Sequence, residues 1–495
     1  MIRPAARPRP GARFALAAIA ACLACGVAPA AHGARSEPRS APLPWRVGSA
    51  IGFTVDAAAF PDSAGSVLEV YVRLAPAALM AVVGGRPQGG RFSLAVTLRN
   101  AFGRVEHKLD QEFVVSGGDT AGGFGKVVIL PFRTAPGEKR LQLKMTASRP
   151  GRAKNATGRK QVESADGDLT VPAAEPGGEL SDIGFVWPES PRAEAGGPPR
   201  AHHELLPNPE RLYGLFADSL RARFVARAHA GDARPWRWVA RILDPGGRLV
   251  TTVEGVGPAA RRLEATLAAD ISREPAGRYD LEVKAWQEGD SGALLRHAPF
   301  SIAWEARTWT ANPQEIIDNA HFLLSREDEE AFGLMMPGDQ ERVVTDFWKR
   351  RDPTPETGVN EARETFLKRI DFANRTYGRY GLGKGMFSDM GRVFIRYGEP
   401  SEVLKQVIPT QDGTLAEMIR QIAATNTREV GDVQDKMLGA DMRPFEVWIY
   451  EGDIPYPVDA DPSTMNQPRM RNRRLVFLFV DEQWVGDYRL RYSTE

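Results

Sequence analysis

Two stretches concentrate side chains able to bind or to react. "FWKRRDPTPETGVNE" (347–361) sets Phe347 and Trp348 against Lys349, Arg350 and Arg351, then runs through Asp352 and Pro353 to Asn360 and Glu361. "GMFSDMGRVFIRYGEP" (385–400) carries Ser388, Asp389, Arg392 and Tyr397 among Gly385, Gly391, Gly398 and Pro400. Asp352 and Asp389 are the candidate catalytic residues, with Glu361 a third carboxylate. Two carboxylates in one cleft serve glycan hydrolysis when they lie roughly 5–10 Å apart. The competing reading is architectural: Ser388 and Asp389 accept backbone N–H bonds and fix a loop. In that reading Asp389 pairs with Arg392, and Asp352 with Arg350, Arg351 or Arg369, as bidentate clamps. No nucleophile or catalytic histidine accompanies the carboxylates, and buried ion pairs produce the same pattern, so architecture is favoured over catalysis. Phe347 and Trp348 then anchor a core, and the run between them and Glu361 is a helix end, a proline-stiffened corner and a helix start.

Other signals fail on their residue types. "TAGGFGKVV" (120–128) resembles a phosphate loop but begins on Thr120 and lacks a hydroxyl after Lys126, so a glycine-rich turn is expected. His202 and His203 sit in a Pro-rich stretch without further ligands at zinc spacing. No GxSxG elbow and no EF-hand loop occurs. Neither a metal nor a cofactor is expected.

The elements that must position the two stretches belong to a chain of 495 residues, long enough for several domains. Its 64 basic and 63 acidic residues give a net charge of +1, so no long-range field draws it onto nucleic acid. The basic run "RMRNRR" (469–474) reads as a solvated loop. Both cysteines, Cys22 and Cys25, fall in a leading segment of arginines, an apolar run and small residues, which matches a secretory signal over 1–33. Two processing routes fit. "IAAC" resembles a lipoprotein box that would acylate Cys22, and "APA" and "AHG" offer ordinary cleavage sites. A membrane contact is expected only through such a lipid anchor.

An extended segment covers 34–44. After it, "VLEVYVRL" (67–74) and "FSLAVTLRN" (92–100) alternate with the period of half-buried strands. "LAVTLRNAFGRVEHK" (94–108) is echoed by "WVARILDPGGRLVTT" (238–252), and "PGEKRLQLKM" (136–145) by "AGRYDLEVKA" (276–285). The fold class expected is therefore two tandem all-β immunoglobulin-like sandwiches, 45–173 and 180–306, the second carrying a Pro-rich segment at 187–209. An α+β domain follows over 307–495. In it Asn312, Ser325, Asp339 and Asn360 are expected to cap helices. Phe366, Ile370, Ala373 and Tyr377 form a helical stripe ended by Gly378. Strands are expected at 392–398, 445–450, 475–481 and 488–493, in a mostly antiparallel sheet, with an amphipathic helical insertion at 414–438.

In order, "FWKRRDPTPETGVNEARETFLKRIDFANRTYG", "GRVFIRYGEPSEV", "EVWIY" and "FVDEQWVGDYRL" resemble the bacterial GWxTD-domain family. The likeness runs upstream through "LSDI" (180–183) and "PNPERLYG" (207–214), and so covers nearly all of the chain after its leader. The name-giving motif is degenerate. Met386 replaces its Trp and Ser388 its Thr, while Gly385 and Asp389 remain, so the hydroxyl and carboxylate persist without the aromatic platform. The resemblance implies an exported bacterial envelope protein, periplasmic or outer-membrane-associated, and an architecture more than a mechanism. The reading that follows is a non-enzymatic binding or assembly module recognising a protein or an envelope polymer. Its alternative is an envelope hydrolase of glycan or peptide using Asp352 and Asp389.

Overall fold

The computed structural model describes residues 42–495, apart from 48–50, 64, 84–89, 116–118, 120–124, 150–158, 176, 188–204, 230–232, 290–291, 379–382, 408–442 and 456–468. Cys22, Cys25, the His202-His203 pair and the 414–438 segment thus lie outside the described residues, as do most of 34–44 and 187–209. The chain is mostly β, with several antiparallel sheets and a few helices.

Period-two alternation builds the first pair of sheets. β1 (Trp45–Val47), β2 (Phe53–Asp62), β3 (Gly65–Leu74) and β6 (Lys126–Thr134) form one, in the order β1-β2-β3-β6. β4 (Gly90–Asn100), β5 (Val105–Val115), β7 (Gly137–Arg149) and β8 (Arg159–Val171) form the other, in the order β5-β4-β7-β8. Val55, Val70 and Val72 of the first sheet and Leu94, Val96 and Leu143 of the second meet in one core. Helix α1 (Pro76–Val83) adds Ala78, Leu79 and Val82 to it.

The strand order then recurs. β12 (Ser219–Arg227) pairs β15 (Arg262–Asp270) as β3 pairs β6, with β10 (Gly184–Val186) beside β12 where β2 flanks β3. β13 (Trp236–Leu243), β14 (Leu249–Gly257), β16 (Gly277–Gln287) and β17 (Leu294–Ala303) lie in the order β14-β13-β16-β17, which matches β5-β4-β7-β8. β9 (Glu179–Leu180) also pairs β12, and β11 (Leu212–Gly214) adds parallel to β17. The echoing stretches of sequence occupy equivalent places: the hairpins β4-β5 and β13-β14, and their neighbours β7 and β16.

In β3 the alternation means something other than one face in water. Both faces of β2 and of most of β3 are buried, and the polar side chains lie against the second pair of sheets. Asp56 takes a bidentate contact from Arg211, at 2.9 Å from Nε and 2.7 Å from Nη2. Glu69 accepts from Arg223 and from the Tyr71 hydroxyl, both at 2.6 Å. Arg73 pairs with Glu210, which also accepts the Thr54 hydroxyl at 3.1 Å. Asp182 and Ala59 exchange hydrogen bonds of 2.8 and 3.0 Å. The stretches 180–183 and 207–214 are therefore joints between the two pairs of sheets.

Beyond β17 the period becomes helical. α2 (Ala306–Thr310) leads to α3 (Pro313–Ala320), capped by Asn312, and α4 (Arg326–Leu334), capped by Ser325. α5 (Pro337–Lys349) begins sooner than a cap at Asp339 would place it. Met336 takes the cap position and Pro337 the first turn, where its missing N–H costs nothing. Asp339 instead accepts the Arg278 N–H and pairs with Arg342. α6 (Glu361–Thr376) buries Phe366, Ile370 and Ala373 and ends with Tyr377 at its C-cap.

The stretch expected as a strand at 392–398 is helical: α7 (Asp389–Tyr397). Its Met390, Val393 and Tyr397 face the sheet, while Ile395 faces the helices. Burial on two sides imitates period two. The sheet itself is antiparallel, β18 (Glu402–Gln406), β19 (Phe445–Pro455), β20 (Arg469–Asp481) and β21 (Tyr488–Ser493) in that order. The basic run 469–474 opens β20 rather than forming a loop, and Arg474 pairs with Glu451 at 2.8 Å.

Candidate functional site

The corner after α5 is held by side chains packed inward and by one amide. Phe347 and Trp348 are buried edge to face with ring centroids 5.1 Å apart, and Trp348 lies 5.2 Å from Phe366. The Arg351 guanidinium covers the Phe347 ring at 3.7 Å, a cation–π contact. Asn360 Oδ1 accepts the Arg363 N–H at 2.9 Å and its Nδ2 donates to the Trp348 carbonyl at 2.8 Å. One side chain thus satisfies the start of α6 and the end of α5. Asp352 forms no clamp with Arg350, Arg351 or Arg369; its Oδ1 accepts the Thr354 N–H at 3.1 Å, a local turn within which Pro353 is exposed. Glu361 accepts the Thr354 hydroxyl at 2.6 Å, and that bond holds its exposed carboxyl below the usual range.

The second stretch is a close approach of backbones. Gly385 opens a 3-10 turn (Gly385–Phe387) against the end of α6, where a Cβ would meet the Ala373 carbonyl at 2.1 Å. A Cβ on Gly391 would lie 2.0 Å from the Gly385 carbonyl, so both positions require glycine. Ser388 is the N-cap of α7: its Oγ accepts the Gly391 N–H at 3.0 Å and donates to the Gly385 carbonyl at 2.7 Å. Asp389 does not pair with Arg392, which is exposed; Oδ2 accepts the Leu490 N–H at 2.9 Å and ties α7 to β21. At the other end of α7, Arg369 Nη1 donates to the carbonyls of Ile395 and Arg396 at 3.1 and 3.3 Å. The Tyr450 hydroxyl donates to the Gly398 carbonyl at 3.0 Å. Tyr397 is buried between Tyr450 and Phe477.

These contacts frame an open cavity of about 700 Å³ between α6, α7 and the sheet. Ser388 and Pro400 line it; Asp352 and Asp389 do not. Asp352 serves a local turn and Asp389 the tie between α7 and β21, and the two have no common place in this cavity. Trp448 and Met390 form buried parts of the wall, Tyr377 lies 5.7 Å from Trp448, and Phe372 stacks on Phe394 at 4.5 Å. Glu446, buried in the same wall, pairs with Lys405 and accepts the Trp448 indole N–H at 3.2 Å. Burial, then the charges of Glu446 and Glu399, push the Tyr377 phenol well above its ordinary range.

Arg369, Phe372, Tyr377, Glu446 and Trp448 were not singled out as a site by their sequence. The available signal was faint: Lys368, Arg369, Phe372 and Thr376 recur at helical spacing beside the buried stripe of α6. Among the described residues no three His, Cys, Asp or Glu side chains come together as a metal site. No described helix is long and apolar enough to cross a membrane.

No family model and no curated protein matches the chain. Among solved structures it is similar over 51% of its length to red sea bream transglutaminase, at 9% identity and a TM-score of 0.15, covering 31% of that chain. A calcium-binding mutant of Bacteroides uniformis β-glucuronidase 2 matches 50% of it at 12% identity and a TM-score of 0.17, covering 27% of the enzyme. Trypsin-activated α-2-macroglobulin from Escherichia coli matches 54% of it at 9% identity and a TM-score of 0.16, covering 17% of that protein. The chain thus spans about a third or less of each, and scores this low carry no functional argument.

Proposed function

We propose that the chain is a non-enzymatic binding or assembly module of the bacterial cell envelope, exported by its leader and recognising a protein or envelope polymer. In this reading the two β units are immunoglobulin-like sandwiches that support a GWxTD-like α+β domain. The observation that carries it is the use made of the two motif-bearing stretches. Asn360 closes the corner between α5 and α6, and Gly385, Ser388, Asp389, Gly391 and Gly398 are engaged in a cap, a turn and backbone contacts at the two ends of α7. Those residues build the frame of a site and leave its lining to recognise a ligand. Buried ion pairs between the β units favour a rigid support over a hinge.

The test combines binding with turnover. The purified protein is incubated with peptidoglycan fragments, lipopolysaccharide and solubilised envelope proteins; retention is followed by co-sedimentation and products by mass spectrometry. The expected result is saturable retention of one fraction without new products, unchanged in Asp352→Asn and Asp389→Asn. Products that disappear in Asp389→Asn would overturn the reading in favour of an envelope hydrolase.

A further inference from the structure

Most cations lining the cavity are balanced by the protein's own acids. Lys384 pairs with Asp318, Lys405 with Glu446, Arg489 with Asp487 at 2.7 Å and Lys368 with Glu364 at 3.4 Å. Arg369 differs. It is partly buried in the wall, and among the described residues no carboxylate lies within ion-pair distance of it. Both of its hydrogen bonds leave from Nη1, to the last carbonyls of α7. The Nε and Nη2 edge lies beside Gly398, where only a glycine leaves it room, and it has no acceptor among the described residues. That edge is the one that grips carboxylate or phosphate oxygens in parallel.

Beside these charged groups the lining carries an apolar part. Phe372 is 39% exposed on α6, Val403 is 47% exposed on β18, and Phe387, Met390 and Phe394 line the space between. Tyr377 lines it too, and its hydroxyl has no hydrogen-bond partner among the described residues. Of the acids in the lining, Glu446 and Asp487 are neutralised by their partners, and Glu399 is exposed with no ion-pair partner among the described residues. A free carboxylate there disfavours a polyanion and tolerates a single anionic head.

From this geometry we infer that the cavity binds an amphiphilic organic anion. Its carboxylate or phosphate head lies on the Arg369 fork and its apolar body lies over Phe372, Phe394 and Met390. The inference rests on the binding-module reading and names the ligand class of its site. The volume of about 700 Å³ falls among those of small-molecule pockets.

Titration calorimetry of the full chain tests it with dodecanoate, dodecyl phosphate, the uncharged dodecyl maltoside and inorganic phosphate, each below its micellar concentration. Both amphiphilic anions are expected to bind saturably, and the uncharged amphiphile and bare phosphate at least about tenfold more weakly, because neither offers both a charged head and an apolar body. The stronger of the two anions distinguishes a carboxylate from a phosphate source. Arg369→Gln should abolish the preference for a charged head. Because Arg369 also caps α7, Tyr377→Phe and Phe372→Ser are measured beside it. The first should weaken the head contact with the fold unchanged by circular dichroism, and the second should weaken both amphiphiles alike. Equal binding of dodecyl maltoside, equal binding of bare phosphate, or affinities unmoved by Phe372→Ser would overturn the proposal. If no amphiphile binds while an envelope fraction is still retained, this ligand class fails and the binding-module reading stands.

Discussion

Asn360 shows how much one side chain does at the residue scale, since its amide closes the beginning of one helix and the end of another. Asn360→Ala leaves both ends open and should lower the unfolding free energy by about 2 kcal/mol, against about 1 for an ordinary cap. Asn360→Asp should cost less, because the acceptor survives and its charge suits the positive end of α6; urea unfolding of the two variants at neutral pH gives the comparison. Asp182 makes a second test, through pH. Burial pushes its carboxyl up to about 6 from 3.8, although it accepts the Ala59 N–H. The folded state then holds the proton more tightly than the unfolded chain, so this group's contribution is greatest below about pH 4 and declines as pH rises to about 6. Asp182→Asn keeps an acceptor for Ala59 and removes the cost of the buried charge. Its melting curves should coincide with those of the parent near pH 4 and show about 2–3 kcal/mol of added stability at pH 7. A variant no more stable at pH 7 would mean that the carboxylate is well solvated.

At the scale of elements, three of the four expected caps were legible and packing was not. Asn312, Ser325 and Asn360 announce helices because a short polar side chain before a helical stripe is a local fact of the chain. The stretch 392–398 deceives because its burial is set from outside. Val393 and Tyr397 meet the sheet while Ile395 meets the helices, so apolar residues fall at every second place of a helix. Ser388 as a backbone acceptor and the glycines were visible, but the helix it caps was not, and the need for glycine comes from a neighbouring turn of backbone that no local pattern reveals. Gly391→Ala sets a Cβ 2.0 Å from the Gly385 carbonyl and must push α7 from the 3-10 turn. Destabilisation of about 3 kcal/mol or more is expected, the upper range of overpacking, whereas Ser388→Ala should cost about 1. Thermal unfolding of both variants separates close approach from capping, and a mild Gly391→Ala would show that α7 can shift freely.

For the whole molecule, the decisive surface is one that sequence pattern assigns to water. Glu69 and Arg73 look like the solvent face of an alternating strand, yet each is buried against residues more than a hundred positions away. Periodicity reports which residues share a face, not what covers it. The stretches 180–183 and 207–214 supply the partners Asp182, Glu210 and Arg211, whose use no local pattern reveals. Glu210 stands at the centre, paired with Arg73 while Arg73 Nη2 reaches the Trp309 carbonyl at 3.1 Å, so one ion pair joins both β units to the start of the helical region. Removing one partner strands a buried charge, which costs about 3–5 kcal/mol, while replacing both with apolar residues is close to neutral. Glu210→Ala should therefore split a single calorimetric transition into two, with the first β unit melting separately, and added salt should do little because buried pairs are poorly screened. Arg73→Met with Glu210→Met should restore one transition. If Glu210→Ala melts as one transition within about 1 kcal/mol of the parent, as an exposed pair would, the units are held together by their apolar contacts, and the cavity-bearing domain does not depend on this joint for its support.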